Sequence, residues 1–440
     1  MKKKLLHTPE GVRDIHSEEC AKKLVLQSRI HDVLNLYGYS DIQTPTFEFF
    51  DIFNKERGTI SSNEMFKFFD RDGKTLVLRP DMTPSIARTA AKYYGETDLS
   101  LKLCYVGNTY INNSSYQGRL KETTQIGAEL IGDDSLDADA EVIAMVIDCL
   151  LNSGLKEFQV EIGQVQFFKG LLNEAGISDD VEEELCELIL NKSYFGVEEL
   201  LNTQNIDRKI AETLLLLPQL FGSVEVLEKA RTLSSNPQSL AAIKRLEDLY
   251  QLLQVYGYEK YITFDLGMLS KHAYYTGVIF NAYTYGTGDS VVKGGRYDKL
   301  IGQFGSDKPS IGFSLTVDQL MVALGRQKID IPLDKSGTLV LYNLDDRNIS
   351  IKLSKYIRSV GTNVNMVHID LSKGIKEYID YAKSTNLDQI LSIKANKEVE
   401  IINVSTGVSR IANISSLMGG NNEWDILHLH LQKADLPKKL

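Results

Sequence analysis

Cysteine is scarce in this chain. Its four cysteines, Cys20, Cys104, Cys149 and Cys186, are scattered through 440 residues with no CxxC pair and no histidine at metal-ligand spacing, so reduced, buried thiols are expected and neither a metal nor a cofactor is. Long apolar runs are missing as well, since no uninterrupted stretch approaches the roughly 20 residues of a membrane span. The beginning, MKKKLLHTPEGVRD, is basic but has no apolar core of a signal peptide, and the expected location is cytoplasmic, with no membrane partner. Positive charge is in deficit: 49 Lys and Arg face 59 Asp and Glu, for a net charge of −10. That balance disfavours a broad electropositive surface and tight, salt-sensitive binding to nucleic acid. Short repeats and low-complexity tracts are absent too. What is present is an ordinary globular composition, 43% hydrophobic, long enough for two or three domains and a large core.

Helical spacing of apolar positions predicts a helix from about Ser17 to Leu36, closed by Gly38 before the extended run SDIQTPTFEFF. TLVLRPDMTPSIARTAAKYY predicts a strand over Thr75–Leu78, a turn, and a helix with Thr83 as cap and Pro84 at its first position. YVGNTYINNSSYQGRLKETTQIGAELIG, residues 105–132, has two alternating runs around a polar loop and predicts a hairpin. From about Phe168 to Tyr256 short acidic and leucine-rich helices take over; Glu182-Glu183-Glu184 among them is a solvated helix face. After the polar linker GRQKIDIPLDKSG, strands and helices alternate to about Gly420 as a small α/β domain.

On the return strand of the hairpin, the period of two sets Thr123, Gln125, Gly127 and Glu129 on one face and Ile126, Ala128 and Leu130 on the other. The first face is polar, and a glycine between Gln125 and Glu129 leaves room for a small ligand, although a solvated face with a tolerated glycine fits the periodicity equally well. Tyr274 and Tyr275 of YYTG offer aromatic walls for a flat heteroaromatic group, but tyrosines in strands are more often ordinary β-formers. The glycine pair of GGRYDKL is by itself a tight turn before it is an anion site. His272 shows no partner in the sequence and is expected at the surface.

In order, TPEGVRD, TPTFE, LRPDMTPSIAR, GRLKETTQIGAELIG, YYTG, GGRYDKLIGQFG and IGFSLTVDQL resemble the class II histidyl-tRNA synthetase family over nearly the whole chain. The resemblance implies an α+β fold: a class II antiparallel sheet with flanking helices over residues 1–167 and 257–328, a helical insertion at 168–256, and a degenerate anticodon-binding-like α/β domain at 335–420. Residues 421–440 would be a tail. It also implies a histidine pocket made of Asp81, Thr83, Gln125, Glu129, Tyr274 and Tyr275. The two carboxylates would receive ammonium and imidazole N–H groups, Gln125 would lie near the ligand carboxylate, and the tyrosines would enclose the ring. Asp81 stands where active synthetases usually carry a longer glutamate.

The half of the site that handles ATP departs from that pattern. Ile111 occupies the position of the arginine that holds the α-phosphate, and Asn113 that of an acidic residue near adenine, with Ser114 at the next basic position. Ser270 falls on the catalytic arginine before YYTG, and Gln319 on the arginine of the last motif, where Thr316 also replaces a glycine. One lost cationic donor at a developing phosphoryl charge costs on the order of 3 kcal/mol, and three together should abolish adenylation. Arg119 remains for an anion or a partner.

A histidine pocket without these arginines is similar to the regulatory subunits of short-form ATP phosphoribosyltransferases. Such a chain would have no catalytic residues. It would be needed for the activity of a separate catalytic subunit, which joins PRPP to ATP in the first step of histidine biosynthesis, and would make that subunit sensitive to L-histidine. A homodimer around the TPTFE motif, set within a larger hetero-oligomer, is expected. The alternatives are a divergent histidyl-tRNA synthetase and a stand-alone histidine-sensing or tRNA-binding paralogue.

Overall fold

A computed structural model of the protein describes residues 6–53, 60–97, 99–113, 119–191, 193–204, 206–269, 274–333, 337–394 and 398–418. The chain divides into two compact units, one holding Lys22–Ile331 and the other running on from Pro332. Ser114, Ser270, His272 and the tail 421–440 lie outside the described residues. Among those described, no helix is long and apolar enough to cross a membrane.

A nine-stranded sheet organises the first unit. In spatial order its strands are Ser40–Asp41, Leu101–Tyr110, Glu122–Ile131, Ser310–Thr316, Val292–Arg296, Val278–Thr284, Phe158–Gln164, Ile262–Asp265 and Phe221–Gly222. All neighbours are antiparallel except the pairs Ser40–Asp41 with Leu101–Tyr110 and Phe158–Gln164 with Ile262–Asp265. Alternation along the hairpin strands separates two apolar layers. Cys104, Ile126, Ala128 and Leu130 face a large core shared with the helices Leu136–Asn152 and Pro237–Val255, whereas Leu103, Tyr105 and Ile131 join a smaller cluster with Met82 and Ile86. The smaller cluster also holds Tyr274 and Tyr297.

The first helix spans Ser17–Leu36. It ends as expected at Gly38, whose φ of +81° suits only glycine well, with Tyr39 N donating to Leu34 O and Gly38 N to Asn35 O. The helix after RPDM runs Thr83–Tyr94, but Met82 occupies its cap position without a side-chain bond. Thr83 is thus the first helical residue and Pro84 the second, because the Thr83 hydroxyl is drawn to Glu129 and Asp81 accepts from Thr83 N at 3.3 Å. Arg79, just before this turn, is buried and donates to Asn108 O, Thr44 O and Pro45 O. That clamp ties the TPTFE segment to the hairpin.

The helices between the seventh and eighth strands of the sheet in spatial order begin at Val165 and end at Val255. They are interrupted by the two-residue strand Phe221–Gly222, which pairs with Ile262–Asp265 and so anchors the insertion to the sheet edge. The second unit has five strands in the order Asn363–His368, Gly337–Tyr342, Gln389–Ile393, Glu398–Asn403 and Ser409–Asn413, the first two pairings parallel and the last two antiparallel. Alternate residues of Gly337–Tyr342 pack to opposite sides. Val340 meets Leu353 and Ile357 of one helix, and Leu339 and Leu341 meet Tyr378 and Ala382 of another.

Candidate functional site

A pocket of about 540 Å³ opens on the hairpin's polar face, within the range of small-molecule sites. Asp81, Thr83, Gln125, Glu129, Tyr274 and Tyr275 all line it, together with Ile111, Asn113, Arg119 and Gln319. Strand pairing brings residues nearly two hundred positions apart together, since Glu129 lies opposite Gly312 and Gln125 opposite Thr316, and the turn before Thr83 and the segment before Val278 add the rest.

Glu129 is the chemical centre. It is 1% exposed, accepts from Thr83 Oγ1 at 2.9 Å and from Tyr297 Oη at 2.5 Å, and its carboxyl is pushed up to about 8. Burial drives the rise, the hydrogen bonds from Tyr297 and Thr83 hold it down in part, and the nearby Asp81 carboxylate adds to it. Tyr297 remains a donor because burial, and next the Glu129 charge, raise its phenol well above the usual value. Tyr274 donates towards Asp81 Oδ2 at 3.5 Å, its ring 4.8 Å from that of Tyr275 and 5.9 Å from that of Tyr297. The amide oxygen of Gln125 is buried and accepts no hydrogen bond among the described residues, a deficit that an N–H donor would relieve.

Two expectations about glycine are corrected here. Gly127 does not make room for a ligand: a Cβ there would sit 2.4 Å from Tyr105 Oη and 2.2 Å from Phe313 O, so the space already holds the Tyr105 ring. The glycine pair of GGRYDKL is not a turn, because Gly294 and Gly295 lie inside the strand Val292–Arg296. Their missing side chains admit Phe280 and Tyr275, respectively. The tyrosines of YYTG in turn precede the strand Val278–Thr284 rather than belonging to it.

Tyr297 and Gly312 also line the pocket, and neither stands out in the sequence. Gly312 is required because a Cβ would lie 1.7 Å from Glu129 Oε2. Gly295 and Tyr297 are both pocket-lining, Gly295 within the strand Val292–Arg296 and Tyr297 just past its end, so extending the strand's period of two by one residue is the signal that points to Tyr297.

The far side of the pocket has little positive charge. Among the lining residues the cations are Arg119, which is exposed, and Lys293, 3.5 Å from Asp289. The Ile111 side chain is apolar, and Asn113 Nδ2 donates to Leu120 O at 3.3 Å, so neither side chain brings a cation to a polyphosphate. Asp318, beside Gln319, accepts from Thr124 N at 2.7 Å and from Lys23 at 2.8 Å, which fixes the helix that carries Gln319. Elsewhere the fold brings His31, Asp41 and Cys104 within 4.8 Å, a grouping invisible in the sequence. Burial and the Asp41 charge push the Cys104 thiol up to about 12, and His31 Nε2 lies at hydrogen-bond distance, 2.6 Å, from Asp41 Oδ1. The trio is a hydrogen-bonded cluster in which the thiol keeps its proton.

A largely antiparallel sheet carrying this pocket is of the histidyl-tRNA synthetase type, and the family model described as histidyl-tRNA synthetase matches residues 11–320. A protein of Acetivibrio thermocellus named ATP phosphoribosyltransferase regulatory subunit is 39% identical over 414 residues, covering 94% of this chain and 98% of the relative. One of the same name from Clostridium acetobutylicum is 44% identical over 320 residues, 72% of this chain and 79% of the relative. The crystal structure titled ATP phosphoribosyltransferase regulatory subunit/histidyl-tRNA synthetase, from Bacillus halodurans, superposes with a TM-score of 0.77 at 32% identity, covering 88% of this chain and 98% of that one. The chain belongs to the family of ATP phosphoribosyltransferase regulatory subunits.

Proposed function

We propose that this chain binds L-histidine in the Glu129 pocket and acts as the non-catalytic regulatory partner of a short-form ATP phosphoribosyltransferase catalytic subunit. In this role it is required for that subunit's activity and makes it sensitive to feedback by histidine in the first step of histidine biosynthesis, in the cytoplasm. One observation carries the reading. The pocket sets two carboxylates, Asp81 and Glu129, among tyrosines, while Ile111 and Gln319 line it where the family resemblance puts arginines of a nucleotide-activating site, and Asn113 where it puts an acidic residue. Such a lining suits a small cation with a flat ring and leaves the negative charge of a triphosphate unbalanced.

Asp81 and Glu129 receive the ammonium and imidazole N–H groups, Gln125 lies near the ligand carboxylate, and Tyr274 and Tyr275 flank the ring. A ligand held this way regulates a partner only by binding two states of the complex with different affinity. The dimer-forming segment around Pro45, braced by Arg79, makes a homodimer the assembly unit within the hetero-oligomer. Two measurements test the proposal. Calorimetry should show histidine binding that weakens in Glu129→Ala and Tyr274→Ala, and mixing with the catalytic subunit should raise phosphoribosyl transfer and make it histidine-sensitive. Transfer activity that is the same with and without this chain refutes the regulatory role.

A further inference from the structure

The pocket is tied to the helical insertion by an ion triad centred on a buried carboxylate. Asp139, fully buried in the helix Leu136–Asn152, accepts from Arg296 Nη2 at 2.6 Å through one oxygen and from Arg245 Nη2 at 2.6 Å through the other. Arg245 lies on the insertion helix Pro237–Val255, and Arg296 is the residue next to Tyr297. Burial raises the Asp139 carboxyl, and the charges of Arg296 and Arg245 work against that rise.

Three walls of the pocket converge on Arg296. Tyr297, its neighbour, holds Glu129. The Arg296 carbonyl accepts from Thr276 N at 2.7 Å, and its side chain fills the space over Gly277, so it fixes the segment that carries Tyr274 and Tyr275. Its guanidinium also donates to Asp133 O at 2.9 Å, in the loop that follows the strand bearing Glu129. Arg245 grips the same loop through Asp134 O at 3.0 Å and Ser135 O at 3.2 Å. Removing one member of such a network frees the others to shift, which couples the sites it joins.

We propose that Arg245, Asp139 and Arg296 are positioning residues through which the insertion sets the pocket's affinity for its cationic ligand, and through which that ligand braces the insertion helix. This rests on the histidine reading above. Coupling is reciprocal, so both directions are measurable. Arg245 is 31% exposed, and its replacement leaves the Arg296–Asp139 pair in place, so Arg245→Met should fold.

Calorimetry with histidine is expected to show about a 5- to 10-fold weakening in Arg245→Met, in the usual range for coupled sites, and near-complete recovery in Arg245→Lys. Hydrogen exchange of the wild type should slow across residues 237–255 when histidine is added, and this protection should disappear in Arg245→Met. Equal histidine affinity in wild type and Arg245→Met overturns the coupling while leaving the pocket reading intact. Weakening without histidine-dependent protection of 237–255 in the wild type is a general loss of stability, and it overturns the coupling as well. Absence of histidine binding to the wild type removes the pocket reading itself, and this inference with it.

Discussion

Replacing Glu129 with glutamine should stabilise the ligand-free protein at pH 8 far more than at pH 5. Burial pushes the native carboxyl up to about 8 from its ordinary value of 4.5. Below 4.5 both the native and the unfolded chain hold the proton; between 4.5 and 8 the unfolded chain has released it and the native chain has not, so stability is lost as pH rises through that window. With 1.36 kcal/mol per pKa unit, this one group costs roughly 3–4 kcal/mol between pH 5 and pH 8. Glutamine keeps the shape and carries no charge, so the variant is spared that loss. Urea unfolding of both proteins, followed by far-UV circular dichroism without ligand at pH 5, 6.5 and 8, should show the variant's relative stability growing by about that amount. A difference that is constant across the three pH values refutes the assignment of Glu129 as a buried, proton-holding acid. The same variant should bind histidine on the order of 100-fold more weakly, because a neutral amide cannot balance a desolvated cation. Stability and binding would then change in opposite directions at one residue, as expected where a buried charge is kept for function.

Histidine binding at pH 7 should release close to one proton, seen as a buffer-dependent heat in calorimetry, because a bound cation favours the ionised Glu129; a heat independent of buffer contradicts this. Tyr297→Phe removes a bond to the carboxylate, so binding should weaken roughly 10-fold, near 1.5 kcal/mol, and its pH dependence should move upward. Gly312→Ala forces a Cβ to within 1.7 Å of Glu129 Oε2, and should lower the unfolding free energy by about 1–3 kcal/mol while abolishing histidine binding. The purified chain should show no histidine-dependent exchange of pyrophosphate into ATP, and measurable exchange would restore the synthetase alternative.

The hairpin, its two faces and the six pocket residues were legible in the chain because a strand's period of two is written locally, and because the family's motifs fall in order. The end of the first helix followed as well, at the Gly38 turn. What the local pattern could not show was which spaces were already filled. Gly127 looked like an opening until the pairing of Tyr105 with Gly127 put a phenol ring over it. The glycine pair at 294 and 295 looked like a turn until its neighbours on both sides proved to be strands.

Composition, periodicity and ordered motifs therefore determined the class of fold, the polar face and the apolar or neutral residue types at Ile111 and Gln319, since these depend on residue type and near-neighbour spacing. Only tertiary structure decided that Tyr297 and Gly312 build the seat of Glu129, that burial holds its proton, and that Arg245 reaches Asp139 from the insertion. Those properties come from atoms far apart in sequence meeting in a dry interior, where hydrogen bonds and charges act over distances that no sequence spacing records.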